Sequence, residues 1–279
     1  MVRAFIFTVA VFIAGEQVQA GSELYALGST HGNMLEQPQN SLRDFVVAIF
    51  LYRPQVILNE SRPESAGSLD AAMDGAPEQA LVYAYSSYAK AKLIPSNWAD
   101  KAYDLQSAEE YKQLNSKFKE EYAPLQTRFT ERKNLTFMQA QSMESQAIFR
   151  EKYEFMAKKN LTAFKSRSEH VCTNLKKHRA EIRGKRALTV FGMAHKYYIE
   201  DCYKNAGIKP LAIGDWYSPE KASKVKIPKK FKDIAIRNLE EVRALVRKRL
   251  NDENYKADIA DLTEQAQELN QWIEQTGSL

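Results

Sequence analysis

The sequence has few of the residues that interrupt or cross-link a chain: 11 Gly, 9 Pro and 2 Cys in 279 residues. With so little Gly and Pro, a fibrous or low-complexity chain is excluded. An excess of charge of one sign is also lacking, because 40 basic residues stand against 35 acidic ones, a net charge of +5. Hydrophobic residues make up 44% of the chain. The composition therefore indicates a globular protein that is long enough to bury a sizeable core.

Signatures of nucleic-acid binding are also missing from the sequence. It contains neither zinc-finger spacing nor an RNA-binding motif. The densest basic stretch, KASKVKIPKKFK at residues 221–232, is typical of a solvated linker, with binding to an anionic surface as the alternative. We expect no nucleic-acid partner.

The N-terminus has the layout of a secretory signal peptide. A basic residue, Arg3, precedes an apolar run over residues 4–14, and the small-residue site Val18-Gln19-Ala20 follows. The apolar run is short for a membrane span. We therefore expect a signal peptide over residues 1–20, cleavage after Ala20, and a mature secreted or periplasmic protein without a stable membrane span. A buried first strand or an uncleaved anchor is the alternative.

Residues 23–100 alternate between strand and helix patterns. Residues 23–29 and 55–59 predict strands, and residues 40–51 between them predict an amphipathic helix. Strand, helix and strand in this order form a βαβ unit with parallel strands. A further helix is expected over residues 77–91, followed by a short strand at LIPSNW.

The second half of the chain predicts a similar unit after a long helical segment. Residues 101–186 are rich in Lys and Glu with interspersed aromatics, which indicates a helical insertion. Residues 187–191 predict a strand, a helix begins near His195, and residues 210–213 predict another strand. Residues 229–276 predict a helical hairpin. Its apolar face favours packing on its own domain, with a dimerisation seam as the alternative.

Together these patterns predict a single α/β domain over residues 21–279. Two βαβ-type halves would form one mixed, mostly parallel sheet, with the helical insertion between them and the hairpin at the end. The sequence leaves the oligomeric state open. It also leaves open whether Cys172 and Cys202 pair, which would stabilise an exported protein by about 3–4 kcal/mol, or remain two buried thiols.

Two of the four histidines are the last residue of a Gly-x-x-His motif. One motif contains Gly28 and His31, and the other Gly192 and His195. Each lies at the carboxyl end of a predicted strand, the edge where open α/β sheets bind ligands. We expect each glycine to let the chain turn sharply off its strand. Glu60 follows a third strand and is expected at the same edge.

Two imidazoles and a carboxylate at neighbouring strand ends suit a divalent metal ion. Such a ligand set leaves one position for a water molecule, whose pKa the ion would lower. His31, Glu60 and His195 are therefore the candidate ligands and catalytic groups, with Glu60 as a ligand or as the general base. For each histidine alone, a core or capping role is the alternative. Four polar residues are expected to support the site: Asn33, Arg62, Glu78 and Asp100.

The segments LYALGSTH, PQVILNE and LTVFGMAH resemble the TraB/TIKI superfamily, which includes the GumN and PrgY branches. At greater distance they are similar to the erythromycin-esterase and ChaN-like folds. The resemblance covers the sheet-forming parts and implies a metal-dependent hydrolase that uses manganese or cobalt, with zinc or iron as further candidates. It implies that Glu78 is another acidic residue of the site. Lys196, Tyr197 and Tyr198 follow His195 where the family often has glycines.

The expected function is therefore an exported metal-dependent hydrolase that cleaves a peptide or a small ester or amide. One alternative is an exported haem- or iron-binding protein of the ChaN-like type. In that case four aromatic residues would line a flat ligand: Tyr197, Tyr198, Trp216 and Tyr217. The other alternative is a secreted interaction protein without chemistry, with the helical insertion as its working surface.

Overall fold

The computed structural model describes residues 22–65, 69, 72, 76–98, 101–252 and 259–279. The predicted signal peptide, residues 1–20, and the candidate residue Asp100 lie outside these ranges. Among the described helices, none combines the length and apolar character that crossing a membrane requires.

Four strands form one sheet. They are β1 (Glu23–Ser29), β2 (Val56–Asn59), β3 (Lys92–Pro95) and β4 (Arg186–Gly192). Their order is β1-β4-β2-β3, and every neighbouring pair is parallel. The two central strands are almost entirely buried, as expected for a parallel sheet with both faces covered. All four carboxyl ends therefore meet at one edge of the sheet.

The remaining regular structure is helical, in three groups. Between the first strands lie α1 (Asn33–Glu36), α2 (Leu42–Tyr52) and α3 (Glu78–Ala89). The insertion contains α4 (Lys101–Ser116), α5 (Lys119–Glu131), α6 (Phe137–Gln141), α7 (Met143–Lys158), α8 (Ala163–Lys177) and α9 (Arg179–Ile182). After β4 follow α10 (Lys196–Asn205), α11 (Pro219–Ser223), α12 (Lys229–Leu250) and α13 (Ile259–Ser278). The α/β fold, the insertion and the C-terminal helix pair are as predicted.

One predicted strand, residues 210–213, is not formed. Leu211 donates its backbone N–H to the Leu24 carbonyl at 2.7 Å, and the chain then enters a 3₁₀ turn over Ile213–Asp215. The Asp215 carboxylate accepts the Ala212 N–H at 2.7 Å, which draws the chain out of an extended course. Pro210 has no N–H to extend a ladder. The described sheet is therefore purely parallel, and its second βαβ unit is incomplete.

Helices cover both faces of the sheet, because successive strand residues point to opposite sides. On one face Tyr25, Ile57 and Leu188 pack in a core shared with α2, α3, α12 and α13. On the other face Leu24 and Leu58 pack in a core shared with α8 and α10. The hairpin belongs to the first core, since Leu269 and Trp272 of α13 are fully buried there. Its apolar face thus packs on its own domain.

The insertion also hydrogen-bonds to β1 on the side where this strand has no neighbour, because β1 is an edge strand of the sheet. The Gln141 side chain accepts the Gly28 N–H through Oε1 at 3.1 Å and donates Nε2 to the Gly28 carbonyl at 2.7 Å. A side-chain amide thus pairs as a neighbouring strand would, and it satisfies backbone groups that an edge leaves open. The end of β1 is held in place as a result.

A disulfide joins the insertion to the helix after β4. It links Cys172 of α8 to Cys202 of α10, across a sequence separation of 30 residues. These are the two cysteines of the chain. The bond therefore fixes α8, which contributes side chains to the site described below, against the sheet.

Replacing both cysteines by serine is expected to lower the free energy of unfolding by about 3–4 kcal/mol, because the cross-link restricts the unfolded chain. Urea unfolding of the double variant and of the oxidised wild type measures the difference. Wild type treated with a reductant should match the variant. Equal unfolding midpoints for the variant and the oxidised protein would show that the bond is not formed or adds no stability.

Candidate metal centre

Three acid–base side chains converge at the carboxyl edge of the sheet. His31 lies two residues beyond β1, Glu60 directly follows β2, and Glu78 is the first residue of α3. Each offers one potential ligand atom, and these atoms lie within 4.8 Å of one another. The edge-site cluster, as we call His31, Glu60 and Glu78, is thus built from three separate segments of the chain.

Glu78 orients the His31 ring. His31 Nδ1 lies 2.8 Å from Glu78 Oε1, which also accepts the Ser29 hydroxyl at 2.5 Å. Burial opposes protonation of the imidazole, but the Glu78 carboxylate outweighs it and raises the pKa of His31 to about 9. Burial likewise opposes ionisation of Glu78, but His31 and Ser29 lower its pKa. Nδ1 of His31 is therefore committed to Glu78, and Nε2 is left for a ligand.

Glu60 is held by two donors. Its Oε1 accepts Arg167 Nη2 at 2.7 Å, and its Oε2 accepts the Gly192 N–H at 2.5 Å. Arg167 is fixed in turn by Asn97 Oδ1, at 3.1 Å from Nε and 3.0 Å from Nη2. Each carboxylate oxygen has a second lone pair, so Glu60 keeps the capacity to bind a cation. No motif in the sequence indicates Arg167, which lies in the Lys-containing helix α8.

The space between His31 and Glu60 depends on Gly192. A Cβ at this position would lie 2.6 Å from His31 Nε2 and 3.5 Å from Glu60 Oε2. Gly28 is constrained similarly, because its Cβ would lie 2.5 Å from Met193 Sδ. Both positions therefore need glycine for close approach.

The expected sharp turn at these glycines is not observed. Among the described glycines, those with positive φ are Gly184 and Gly207, whereas His31 itself has φ 51°. Positive φ is uncommon in non-glycine residues, although His is among those enriched there. The turn off β1 is thus made by the histidine, three residues beyond the glycine.

His195, the other predicted ligand, lies beside the cluster. Its ring stacks on Phe164 with centroids 4.6 Å apart, and its Nε2 is 4.0 Å from Glu60 Oε1. Burial, together with the charge of Arg167, lowers its pKa to about 3, so the ring is neutral. The 3₁₀ turn Met193–His195 carries the ring against α8. The structure therefore groups Glu78, predicted as a supporting residue, with His31 and Glu60.

The other predicted supporting residues differ in position. Asn33 donates Nδ2 to the Thr30 carbonyl at 3.2 Å, next to His31. Arg62 Nη2 lies 3.8 Å from Asp104 Oδ2 of α4. Lys196, which directly follows His195, is buried and donates to the Ala26 carbonyl and, at 2.7 Å, to Glu200. Its ammonium group thus anchors α10 to β1 and makes none of its hydrogen bonds to the cluster.

The four aromatic residues considered for a flat ligand do not share one wall. Tyr197 and Tyr198 border one cavity, beside the disulfide, whereas Tyr217 borders another, beside α2. Trp216 packs on Tyr25 at 4.9 Å between ring centroids. Tyr197 and Tyr217 are buried, and Tyr198 and Trp216 are partly exposed, so the four side chains do not form one binding surface.

The residues of the edge-site cluster suit a divalent cation. Glu78 Oε2 is buried and has no hydrogen-bond partner among the described residues. A buried carboxylate oxygen without a partner costs free energy, which nearby positive charge offsets. Because Glu78 Oε1 holds Nδ1, on the side of the ring away from Nε2, Glu78 would support an ion bound by His31 and Glu60 through its charge and not as a ligand. One imidazole nitrogen with carboxylate oxygens is a donor set compatible with manganese, iron, cobalt or zinc.

A cleft opens beside the cluster. It has a volume of about 290 Å³ and is lined by residues within 29–40, 129–149 and 193–194, including His31. We call it the His31 cleft. Its walls come from the end of β1, the helical insertion and the turn after β4. A molecule bound there would lie next to the imidazole of His31.

Comparison of the chain with known protein families, curated proteins and solved structures finds no match. The resemblance to the TraB/TIKI superfamily therefore stays a prediction.

The depressed pKa of His195 predicts an acid-sensitive fold in the metal-free protein. Between the ordinary pKa of 6.5 and the folded value of about 3, the unfolded chain takes up a proton that the buried ring does not. Stability is then lost as the pH falls, by up to about 1.4 kcal/mol per pH unit. Glutamine at position 195 cannot titrate, so His195→Gln should lack this part of the slope.

Urea unfolding of chelator-treated protein between about pH 5 and pH 7 measures this slope. His195→Asn should behave like His195→Gln, because it also lacks a titrating ring. Parallel curves of stability against pH for wild type and both variants would contradict the assignment of a neutral buried imidazole.

Proposed function

We propose that the protein is an exported metal-dependent hydrolase of peptide bonds or of small esters and amides, with the edge-site cluster as its metal centre. The observation that carries the proposal is the convergence of His31, Glu60 and Glu78, with ligand atoms within 4.8 Å of one another. They meet at the edge where parallel sheets bind ligands. The N-terminal segment predicted as a signal peptide supports action in the periplasm or outside the cell.

A hydrogen bond to the second ring nitrogen orients the imidazole of this centre, as is common for metal-binding histidines. A divalent ion bound there supplies Lewis acidity towards a substrate carbonyl and lowers the pKa of water. Glu78 holds the His31 ring through Nδ1 at 2.8 Å, which fixes the direction of Nε2. This is the carboxylate–histidine arrangement that raises the basicity of a metal-binding imidazole.

Glu60 is better suited to bind the ion than to take up a proton. Arg167 and the Gly192 N–H already donate to its two oxygens, at 2.7 Å and 2.5 Å, and both hydrogen bonds favour a fixed carboxylate. His195, neutral and 4.0 Å from Glu60, adds no charge to this group. We therefore assign His195 the role of a positioning residue beside Glu60 and Arg167.

Metal binding by variants of the cluster tests the proposal. Chelator-stripped wild type is titrated with Mn²⁺, Co²⁺ and Zn²⁺ by calorimetry, and then assayed with a mixed peptide library and nitrophenyl esters. We expect one ion per chain and hydrolysis that depends on it. His31→Gln and Glu60→Gln should weaken binding by about 100-fold or more, since altering even the partners of metal ligands costs about 10–100-fold.

Two exposed residues provide matched controls for these substitutions. His170 and Glu109 are exposed and lie in the insertion, so His170→Gln and Glu109→Gln should bind the ion like the wild type. The proposal fails if the wild type binds no ion, or if chelator and ligand substitutions leave hydrolysis unchanged.

A methyl group at position 192 should damage the centre selectively. In Gly192→Ala the new Cβ would lie 2.6 Å from His31 Nε2, so the ring must move away from Glu60. We expect metal affinity to fall by about tenfold or more, with a loss of stability of only about 1–3 kcal/mol. Gly214→Ala is the control, because a Cβ there meets nothing within 4 Å. Equal affinity for the two variants would contradict the role of Gly192.

A further inference from the structure

We propose that the His31 cleft binds a carboxylate of the substrate, so that the hydrolase prefers peptides with an acidic group close to the scissile bond. This inference rests on the proposed function, because it assigns a substrate class to the same centre. The group recognised is a carboxylate, from an Asp or Glu side chain or from a free C-terminus. Arg132 and Lys133 are the residues that would recognise it.

The His31 cleft is basic. Arg132 and Lys133 contribute to its wall, and none of the described residues that line it is Asp or Glu. This balance differs from that of the whole chain, in which 35 acidic residues nearly match 40 basic ones. A concave surface with charge of one sign concentrates ligands of the opposite sign.

Arg132 has no counter-ion in the part of the chain that the structure describes. Its guanidinium lies over the Phe149 ring, 4.6 Å from the centroid, and donates to the Ser145 carbonyl. By contrast, Arg150 and Arg167 each bind a carboxylate, at 2.6 Å and 2.7 Å. Burial lowers the pKa of Arg132 to about 10. A partly desolvated cation without a counter-ion costs free energy, which an anionic ligand would offset.

The shape of the cleft suits one side chain or one chain terminus. Its volume of about 290 Å³ is at the small end of the range of about 300–1,000 Å³ for ligand pockets. Phe129 and Phe149 meet edge to face, 5.2 Å apart, and supply an apolar wall for methylene groups. Thr30 also lines the cleft, and its buried hydroxyl lacks a hydrogen-bond partner among the described residues.

The position of the cleft connects recognition with the proposed chemistry. His31 belongs both to the cleft and to the edge-site cluster. A carboxylate held by the planar guanidinium of Arg132, which donates in a fixed fork, would place the neighbouring bond of the substrate beside the cluster. Arg132 and Lys133 are thus specificity residues and not ligands of the metal.

Matched peptides test this inference. Pairs differ only by Glu or Gln on either side of the bond that is cleaved, and a third pair differs by a free or amidated C-terminus. We expect the acidic member of one pair to have a kcat/KM about tenfold higher, mainly through KM, as for a contact made equally in the ground and transition states. The pair that responds identifies the source of the carboxylate.

Charge reversal at Lys133 is the decisive variant, because the residue is exposed and its substitution should not disturb folding. Lys133→Glu should abolish the preference for the acidic peptide, measured as the ratio of kcat/KM for the acidic and the neutral member of the pair. Lys119→Glu is the matched control, since Lys119 is exposed in the same insertion and does not line the cleft. The single substitution Arg132→Gln should also weaken the preference for the acidic peptide, and it is measured on protein that has been shown to fold.

A binding measurement separates failure of this inference from failure of the proposed function. NMR titration of metal-free protein with N-acetylglutamate, compared with N-acetylglutamine, should show tighter binding of the acid and its loss in Lys133→Glu. Equal binding of the two probes, or equal hydrolysis of acidic and neutral peptides, overturns the carboxylate subsite and leaves the hydrolase intact. Preferential binding of the acid without hydrolysis of any peptide or ester would support the subsite and overturn the hydrolase.

Discussion

The register between β1 and β4 is the constraint on which the site depends. Ser29 lies opposite Gly192 in this parallel pair, so the two strands end at the same level of the sheet. The missing side chain of Gly192 then leaves the gap in which His31 Nε2 and Glu60 Oε2 approach each other. A slip of one residue would turn each side chain of the strand to the other face. The edge-site cluster thus follows from strand pairing as much as from the identity of its residues.

Charge at this edge is balanced in two neighbouring pairs, in which Glu78 is buried and the His31 ring is partly exposed. His31 and Glu78 form one, at 2.8 Å, and Arg167 and Glu60 form the other, at 2.7 Å. Burial and the charge of Arg167 lower the pKa of His195, so its ring stays neutral beside the second pair. A metal ion that bound here would enter a site whose charges are already compensated. Since an imidazole binds metal in its deprotonated form, binding would release the proton of His31.

The sequence predicted those parts of the molecule that local patterns determine. The strand at residues 23–29 has the same bounds as β1, and the helical insertion and the C-terminal helices were recognised from their periodicity. His31 and Glu60 were found because each follows a strand. The absent strand at residues 210–213 shows the limit, since a short apolar segment does not reveal whether its backbone pairs. Arg167 could not be found, because it meets Glu60 across 107 residues, and no local pattern records such a contact.

The helical insertion does more than cover the sheet. Through Arg167 and Phe164 of α8 it reaches Glu60 and His195, and through Arg132 it forms part of the His31 cleft. The sheet edge supplies the groups suited to a cation, whereas the insertion supplies the positive charges around them. Because the disulfide from α8 to α10 ties the insertion to the helix that follows His195, both sets of groups keep a fixed relation. Changes at Arg132 would therefore alter the His31 cleft, whereas changes at Arg167 would reach Glu60 of the edge-site cluster itself.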